Sequence, residues 1–215
     1  MRRPPRRLLL PLGVGVLALL LWDSFLVYPF RVFVVFLHEI SHGLAAIATG
    51  GTLLAIGLSM GEGGVCVTHG GSPFVTLNAG YLGSLLWGAF FLLVGARRRR
   101  ARPAIHLIGA FTLVVTLLYV RTPFGLVYGV AAGAAFLAVA SRLSPAASEV
   151  LLASIGVMSC LYAVWDVASD VLVRDTAGSD AAALAQLTAV PAVVWGALWV
   201  TASLAVIATT ARRLA

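Results

Sequence analysis

The chain has 215 residues, of which 60% are hydrophobic and 11% are charged, and its mean hydropathy is +1.00. Soluble domains are roughly 45–50% apolar, so this composition excludes an ordinary soluble fold and predicts a protein of the lipid bilayer. The formal net charge is +7, and all 15 basic residues are arginines. Several arginines form short clusters between apolar runs, which suits lipid headgroups and argues against nucleic-acid binding.

The amino terminus combines a basic tail with an apolar run. Residues 1–7 contain four arginines, and the apolar stretch at 8–28 is long enough to cross a bilayer. It lacks the small-residue cleavage site of a signal peptide. We therefore expect a retained membrane anchor.

A membrane-spanning helix needs about 20 mostly apolar residues. Seven segments of the chain meet this requirement, and six or eight are the nearest alternative counts. The seven segments are residues 8–27, 30–48, 77–96, 103–120, 124–140, 150–171 and 184–209. Because the connections are short, we predict an all-α polytopic membrane protein that forms one membrane-embedded domain over residues 1–215.

The segment at 50–76, after the second predicted span, departs from this pattern. It contains eight glycines and several β-branched residues, so it will not form a continuous helix. Irregular backbone is tolerated at membrane depth only where protein covers it or water reaches it. We expect a β-hairpin or re-entrant loop beside a functional site, with an external loop as the alternative.

The second predicted span carries His38-Glu39-Ile40-Ser41-His42. Residues i and i+4 share one face of a helix, so His38 and His42 can both direct a ring nitrogen at one metal ion. Glu39, at the edge of that face, is placed to act as a general base toward a water that zinc makes more acidic. Core histidines, a haem site or a proton relay are the alternatives to this interpretation as a zinc-peptidase site.

Catalytic zinc commonly takes three protein ligands, so a third ligand must come from elsewhere. Cys66 and Cys160 show no paired metal-binding spacing. Asp166 and Asp170 lie at i and i+4 in the sixth predicted span, and Asp166 is the deeper of the two. We expect Asp166 to be the ligand, with Asp170 as the alternative ligand or as a group that orients a histidine. Asp180 falls in a polar connection and is not expected at the site.

A shared metal requires the second and sixth spans to run parallel. Three intervening spans meet that requirement, provided that residues 50–76 enter and leave on one side of the membrane. The same count puts the amino-terminal arginines and those at 97–102 on opposite sides. Since positive charge favours the cytoplasmic side, the sequence leaves open which side is cytoplasmic.

Small residues cluster at the start of the third span, in Asn78-Ala79-Gly80-Tyr81-Leu82-Gly83-Ser84. They would allow close helix approach. The Asn78 amide could instead hold an extended substrate backbone or an oxyanion. Asn78 and Gly80 are therefore candidate substrate-binding residues.

Taken together, these motifs resemble the site-2 protease group of intramembrane zinc metallopeptidases, in particular its compact B-like branch of bacteria and plants. The resemblance covers most of the chain. It is carried by residues 37–43, the hairpin between Gly63-Gly64 and Gly70-Gly71, residues 79–84, and Tyr162 to Asp170 followed by Ser179-Asp180-Ala181. In the wider family two histidines and a later aspartate hold zinc, and the glutamate is the catalytic base. The resemblance maps these roles to His38, His42, Asp166 and Glu39.

The resemblance implies a zinc metalloendopeptidase that cleaves within or near the transmembrane segments of membrane proteins. It implies Zn²⁺ as cofactor, a transmembrane substrate, the lipid bilayer and a regulatory membrane partner of unknown identity, with no nucleic acid. The expected location is the plasma membrane of a bacterium. A metal transporter or sensor, or a scaffold that has lost catalysis, are the alternative functions.

Overall fold

The computed structural model describes residues 6–172 and 179–214, with only the backbone described at 6–12, 98 and 169–172. Within these ranges the chain forms eight helices and one two-stranded sheet. The elements in chain order are α1 (Arg6–Leu20), α2 (Tyr28–Ala48), β1 (Thr52–Leu58), β2 (Gly64–His69), α3 (Pro73–Gly95), α4 (Arg98–Tyr119), α5 (Pro123–Arg142), α6 (Pro145–Leu172), α7 (Asp180–Thr188) and α8 (Ala192–Leu214).

The predicted all-α membrane fold is confirmed, but the described part of the chain has six long apolar helices instead of seven. The helices α2 to α6 and α8 are long and apolar enough to cross a membrane. The helix α1 has 15 residues and ends at Leu20, whereas the predicted span extends to residue 27. Residues 21–27 form turns around Asp23 and Ser24, polar residues whose effect a hydropathy average conceals. Residues 1–5 of the predicted basic tail lie outside the described residues.

The last predicted span, at 184–209, is wrong at its start. Its first residues belong to the nine-residue helix α7, which ends at Thr188 and is followed by Ala189 with a left-handed φ of 59°. Pro191 then separates α7 from α8. This break is invisible to hydropathy because both sides of it are apolar.

The helices α2 and α3 are antiparallel and pack closely. Thr49, just after α2, accepts a 2.9 Å hydrogen bond at its Oγ1 from the backbone N–H of Ser72, just before α3. Further along, a Cβ atom on Gly83 would overlap the side chain of Ser41. Glycine therefore lets the two backbones approach, and the packing interpretation of residues 79–84 holds.

The helices α3 and α6 are also antiparallel. Gly95 lies against Ala153, while Ser159 donates a 2.7 Å hydrogen bond to the carbonyl of Ser84. Since α2 and α6 each oppose α3, they run parallel to each other. This is the relation that a site shared between them requires.

The glycine-rich segment forms the predicted hairpin, and it is re-entrant. The strands β1 and β2 pair antiparallel, with Thr52 opposite His69 and Leu58 opposite Gly64. The hairpin folds back along α2 to its first turns, where Tyr28 donates a 2.9 Å hydrogen bond to the Met60 carbonyl. The hairpin therefore begins and ends at the carboxyl end of α2.

The outer edge of β1 is covered by the connection between α4 and α5. Ile56 pairs with Val120, and its carbonyl accepts a 3.0 Å hydrogen bond from the N–H of Arg121. Thr122 Oγ1 lies 3.0 Å from the N–H of Leu58. Protein groups thus satisfy backbone that would otherwise be costly at membrane depth.

The close contact between α3 and α6 gives a test of this packing. A Cβ atom on Gly88 would lie 2.6 Å from Cys160 Sγ and 2.9 Å from the Gly156 carbonyl oxygen, whereas one on Gly13 in α1 would have no neighbour within 4 Å. We expect Gly88→Ala to lower stability by about 1–3 kcal/mol through overpacking, although alanine favours helix. Gly13→Ala is the matched control and should not lower it. Equal melting temperatures of the two variants in detergent would contradict this packing.

Candidate metal centre

The helix α2 presents the two histidines of the sequence motif to one cavity. Its apolar residues are buried over most of its length, and Pro29 lies in its first turn. The rings of His38 and His42 have centroids 4.7 Å apart. Glu39 and His42 are each 5% exposed. Polar side chains this deeply buried need partners, and they find them in residues from later helices.

Asp180 brings a carboxylate to both histidines. Its Oδ2 atom lies 3.1 Å from His38 Nε2 and 3.1 Å from His42 Nε2. Asp180 is the first residue of α7, and the preceding Ser179 caps that helix by accepting a hydrogen bond from the N–H of Ala182. The three ligand atoms lie within 4.8 Å of one another.

This arrangement differs from the predicted third ligand. Asp166 lines the same cavity, but its carboxylate is not among the three converging groups. The side chain of Asp170 lies outside the described residues. Asp180, which the sequence analysis assigned to a polar connection, occupies the expected place of Asp166. The physical reason is that α7 begins at Asp180 and its capped first turn directs the carboxylate toward α2.

The two histidines are held by further groups. The carbonyl of Thr76 can only accept, so the Nδ1–H of His42, 2.7 Å away, donates to it, and Nε2 is the ring nitrogen that faces the site. The ring of Tyr81 stands edge-on to His38 at 5.0 Å and contacts Trp199 of α8 at 4.6 Å. The sequence prediction missed Thr76, Tyr81 and Trp199, because a backbone carbonyl and apolar aromatic positions carry no motif of their own.

Asn78 and Gly80 lie beside the site in packing positions. Asn78 accepts a 2.9 Å hydrogen bond from Trp199 Nε1 and donates one to the Phe74 carbonyl. Gly80 faces the imidazoles directly, and a Cβ atom there would overlap the Nε2 atoms of both His38 and His42. Neither residue is among those that line the cavity, so their predicted role in substrate binding stays a prediction.

The converging groups fit a zinc ion. Two imidazole nitrogens and a carboxylate oxygen are a donor set of catalytic zinc sites, with ligand distances of about 2.0–2.2 Å. Tetrahedral ligands at that distance lie roughly 3.3 Å apart, close to the 3.1 Å found from Asp180 to each histidine. Gly80 leaves free the space where a Cβ atom would crowd both nitrogens.

Glu39 and residues of the hairpin line the same cavity as the histidines and Asp180, which has a volume of about 430 Å³. The Glu39 carboxylate lies against the backbone of β2, and a Cβ atom on Gly64 would overlap its Oε1. Besides these residues, β2 contributes Cys66 and Thr68 to the lining. Glycine at position 64 therefore allows the strand to pass directly over the glutamate.

The charge of Asp180 is stabilised by the histidines. Burial alone would raise the pKa of its carboxyl group, but the hydrogen bonds and charges of His38 and His42 outweigh burial and hold that pKa well below its usual range. Asp180 is consequently ionised at neutral pH, the form that a metal ligand needs.

Comparison with known families shows to which family the chain belongs. Residues 12–210 match the family described as Peptidase M50B-like. The chain belongs to this peptidase family. No curated protein and no solved structure gives a significant match. Family membership and the six apolar helices indicate a multi-pass integral membrane protein and support a membrane metalloprotease in general.

Gly80 gives a first test of the candidate metal site. We expect Gly80→Ala to abolish zinc binding, because the added methyl group would occupy the space between the two imidazole nitrogens. Zinc content of the purified protein is the measurement. Gly13→Ala, which adds a methyl group in open space, should retain the metal. A Gly80→Ala protein with a full complement of zinc would contradict the arrangement.

The third ligand is tested by two aspartate variants. We expect Asp180→Ala to lose most of its zinc and Asp166→Ala to retain it, because Asp180 is the one carboxylate among the described residues that joins both histidines. Loss of a ligand group commonly costs far more metal affinity than the 10–100-fold of an outer partner. Metal analysis of both variants after identical dialysis makes the comparison. The opposite pattern would restore Asp166 as the ligand.

Proposed function

We propose that the chain is an intramembrane zinc metalloprotease, which hydrolyses peptide bonds within or near the transmembrane segments of membrane proteins. The observation that carries the proposal is the convergence of His38, His42 and Asp180 beside Glu39. The site lies among helices long enough to cross a membrane. The proposal includes the plasma membrane of a bacterium as the location, as the sequence motifs suggest, and a regulatory membrane partner.

In this proposal His38, His42 and Asp180 hold zinc. When bound there, zinc would supply Lewis-acid polarisation of the scissile carbonyl and a lowered pKa for water. The Thr76 carbonyl keeps the His42 proton on Nδ1 throughout the reaction. Tyr81 restricts rotation of the His38 ring by packing against it, and Trp199 in turn packs against Tyr81.

Glu39 is the proposed general base. One of its carboxylate oxygens accepts a proton from the attacking water and later donates it to the nitrogen of the leaving amine. Its carboxylate borders the cavity beside both histidines and against the backbone of β2. This position lets Glu39 reach water on the metal side and substrate on the hairpin side.

The hairpin is the proposed substrate platform. A peptide bond inside a helix is shielded by its own turns, so the substrate must become extended before attack. Within the described residues β2 pairs with β1 alone, and β2 residues line the cavity. An extended substrate segment can therefore add to β2 as a further strand, with main-chain hydrogen bonds that do not depend on its sequence.

The role of Glu39 separates this proposal from a transporter or sensor that binds metal without hydrolysis. We expect Glu39→Gln to reduce cleavage of a single-span membrane protein by at least 10²-fold, since loss of a general base costs about 10²–10⁴-fold. Zinc content should stay unchanged because Glu39 is not a ligand. Cleavage is followed by gel electrophoresis in proteoliposomes. Normal turnover by a zinc-loaded Glu39→Gln protein would refute the mechanism.

A further inference from the structure

The arginines of the chain are concentrated at one end of the helix bundle. The helices α3 and α5 end there, and α4 and α6 begin there. Arg102 of α4 donates hydrogen bonds of 2.7 and 2.8 Å to the carbonyls of Ala140 and Ser141 at the end of α5. The start of α6 packs near the end of α3, with Gly95 beside Ala153. We refer to this end, formed by residues 95–102 and 140–146, as the basic end.

The helix α8 also terminates at the basic end. Its Trp199 hydrogen-bonds Asn78 near the start of α3, and its Ile207 packs against the buried cluster that contains Leu85, further along α3. The helix α8 therefore runs parallel to α3. Its last turn, with Arg212 and Arg213, lies at the same end as the last turn of α3.

The helix α1 begins at the basic end and does not cross to the other. Gly15 lies against Val157, and Trp22 stacks on Tyr162 further along α6, so α1 runs parallel to α6. Residues 21–27 then turn back, which brings Val27 into one apolar cluster with Ala18 and Met158. The start of α1 and the arginines at 97–102 thus lie at the same end of the bundle. The seven-span prediction places these two groups of arginines on opposite sides of the membrane, and the structure removes that disagreement with the positive-inside rule.

The charge of the basic end is large and has no partner among the described carboxylates. Eight of the 15 arginines lie there, at 97–100, 102, 142, 212 and 213. Arg99, Arg100 and Arg142 are exposed. Within the described residues the arginine ion pairs are those of Arg31, away from this end, and Glu149 is the nearest acidic residue along the chain. So many exposed arginines are expected to bind negatively charged groups that lie outside this chain.

The metal centre lies near the opposite end. Gly80, beside the two histidines, precedes Arg97 by 17 residues along α3 and the following turn, or about 25 Å at about 1.5 Å per residue. A hydrocarbon core is about 30 Å thick. When the basic end is at one headgroup layer, the site is therefore in the far half of the membrane.

We propose that the basic end binds the anionic headgroups of the cytoplasmic leaflet, so that the metal centre lies in the non-cytoplasmic half of the bilayer. Arginines flanking membrane helices favour the cytoplasmic side, and that leaflet carries the negative surface potential. Combined with the proposed function, on which this consequence rests, the orientation means that substrate segments are cut in the half of the membrane away from the cytoplasm.

Orientation is tested with single cysteines that leave every arginine in place. In a background of Cys66→Ser and Cys160→Ala, Ala146→Cys reports the basic end and Gln186→Cys reports the site end. Both positions are exposed, and α7, which contains Gln186, ends beside Trp195, which contacts Phe74 at the start of α3. A membrane-impermeant maleimide should label Gln186→Cys in intact bacterial cells and Ala146→Cys only after the cells are broken.

Labelling of Ala146→Cys in intact cells would overturn the proposal, whether or not Gln186→Cys is also labelled. Labelling of both positions in broken cells and an unchanged gel-filtration profile establish that the variants are folded. The readout does not depend on cleavage. An inactive protein with the expected labelling would contradict the proposed function alone, and an active one with reversed labelling would contradict the orientation alone.

Headgroup binding is tested by thermal melting in nanodiscs of phosphatidylcholine, alone or in an equal mixture with phosphatidylglycerol. The mixture should raise the melting temperature of the wild type. The combined variant Arg99→Gln, Arg100→Gln and Arg142→Gln should lose much of that rise, since each basic residue near an anionic surface adds roughly fivefold to binding. Arg121→Gln, at the other end of α4, is the matched control and should keep it. An equal rise in both variants would overturn headgroup binding at the basic end.

Discussion

The contact of one carboxylate with two imidazoles organises this protein. Asp180 meets His38 and His42 at 3.1 Å each, in a bundle whose surroundings are apolar. Ionisable groups are costly at membrane depth unless they pair with one another or hold a metal. Three helices must therefore keep fixed positions for these groups to meet: α2 supplies the histidines, α7 the aspartate, and α3 the glycine surface on which they rest.

The same constraint explains the hairpin. A strand at membrane depth has backbone groups that lipid cannot satisfy. The backbone groups of β1 pair with β2 on one edge and with the connection between α4 and α5 on the other. The Arg31 side chain, 2.9 Å from Glu62, and the hydrogen bond from Tyr28 hold the hairpin tip against the first turns of α2. Within the part of the chain that the structure describes, β2 pairs with β1 alone, and β2 borders Glu39 and the candidate metal ligands.

Local features of this fold could be predicted from the sequence because they depend on neighbouring residues. The spacing of His38 and His42 follows from helical periodicity, and the glycines of residues 50–76 exclude a helix there. The small residues at Gly80 and Gly83 indicate close packing of α3. Each of these inferences needs only a few consecutive residues and a rule about the backbone.

The place of Asp180 beside the histidines and the end of the first helix could not be predicted in the same way. Asp180 reaches His38 across 142 positions of sequence, and its place depends on where α7 begins. The only local signals are the Ser179 cap and the Ser-Asp-Ala element, both of which also suit a polar connection. Hydropathy likewise extends the first span through 21–27, because it averages over the turn at Asp23 and Ser24. Asp166 is the better sequence candidate because it lies deep in the sixth predicted span, whereas tertiary packing places the Asp180 carboxylate of α7 against both histidines.

The ligand set is the central claim, and X-ray absorption spectroscopy of the zinc-loaded protein tests it most directly. The account predicts a first shell of nitrogen and oxygen at about 2.0–2.2 Å with the multiple scattering of two imidazoles, and no sulfur at about 2.3 Å. In Asp180→Ala, any zinc that remains should keep both imidazoles and lose one oxygen from its protein ligands. A sulfur contribution, which would implicate Cys66, or a shell with fewer than two imidazoles would contradict the account.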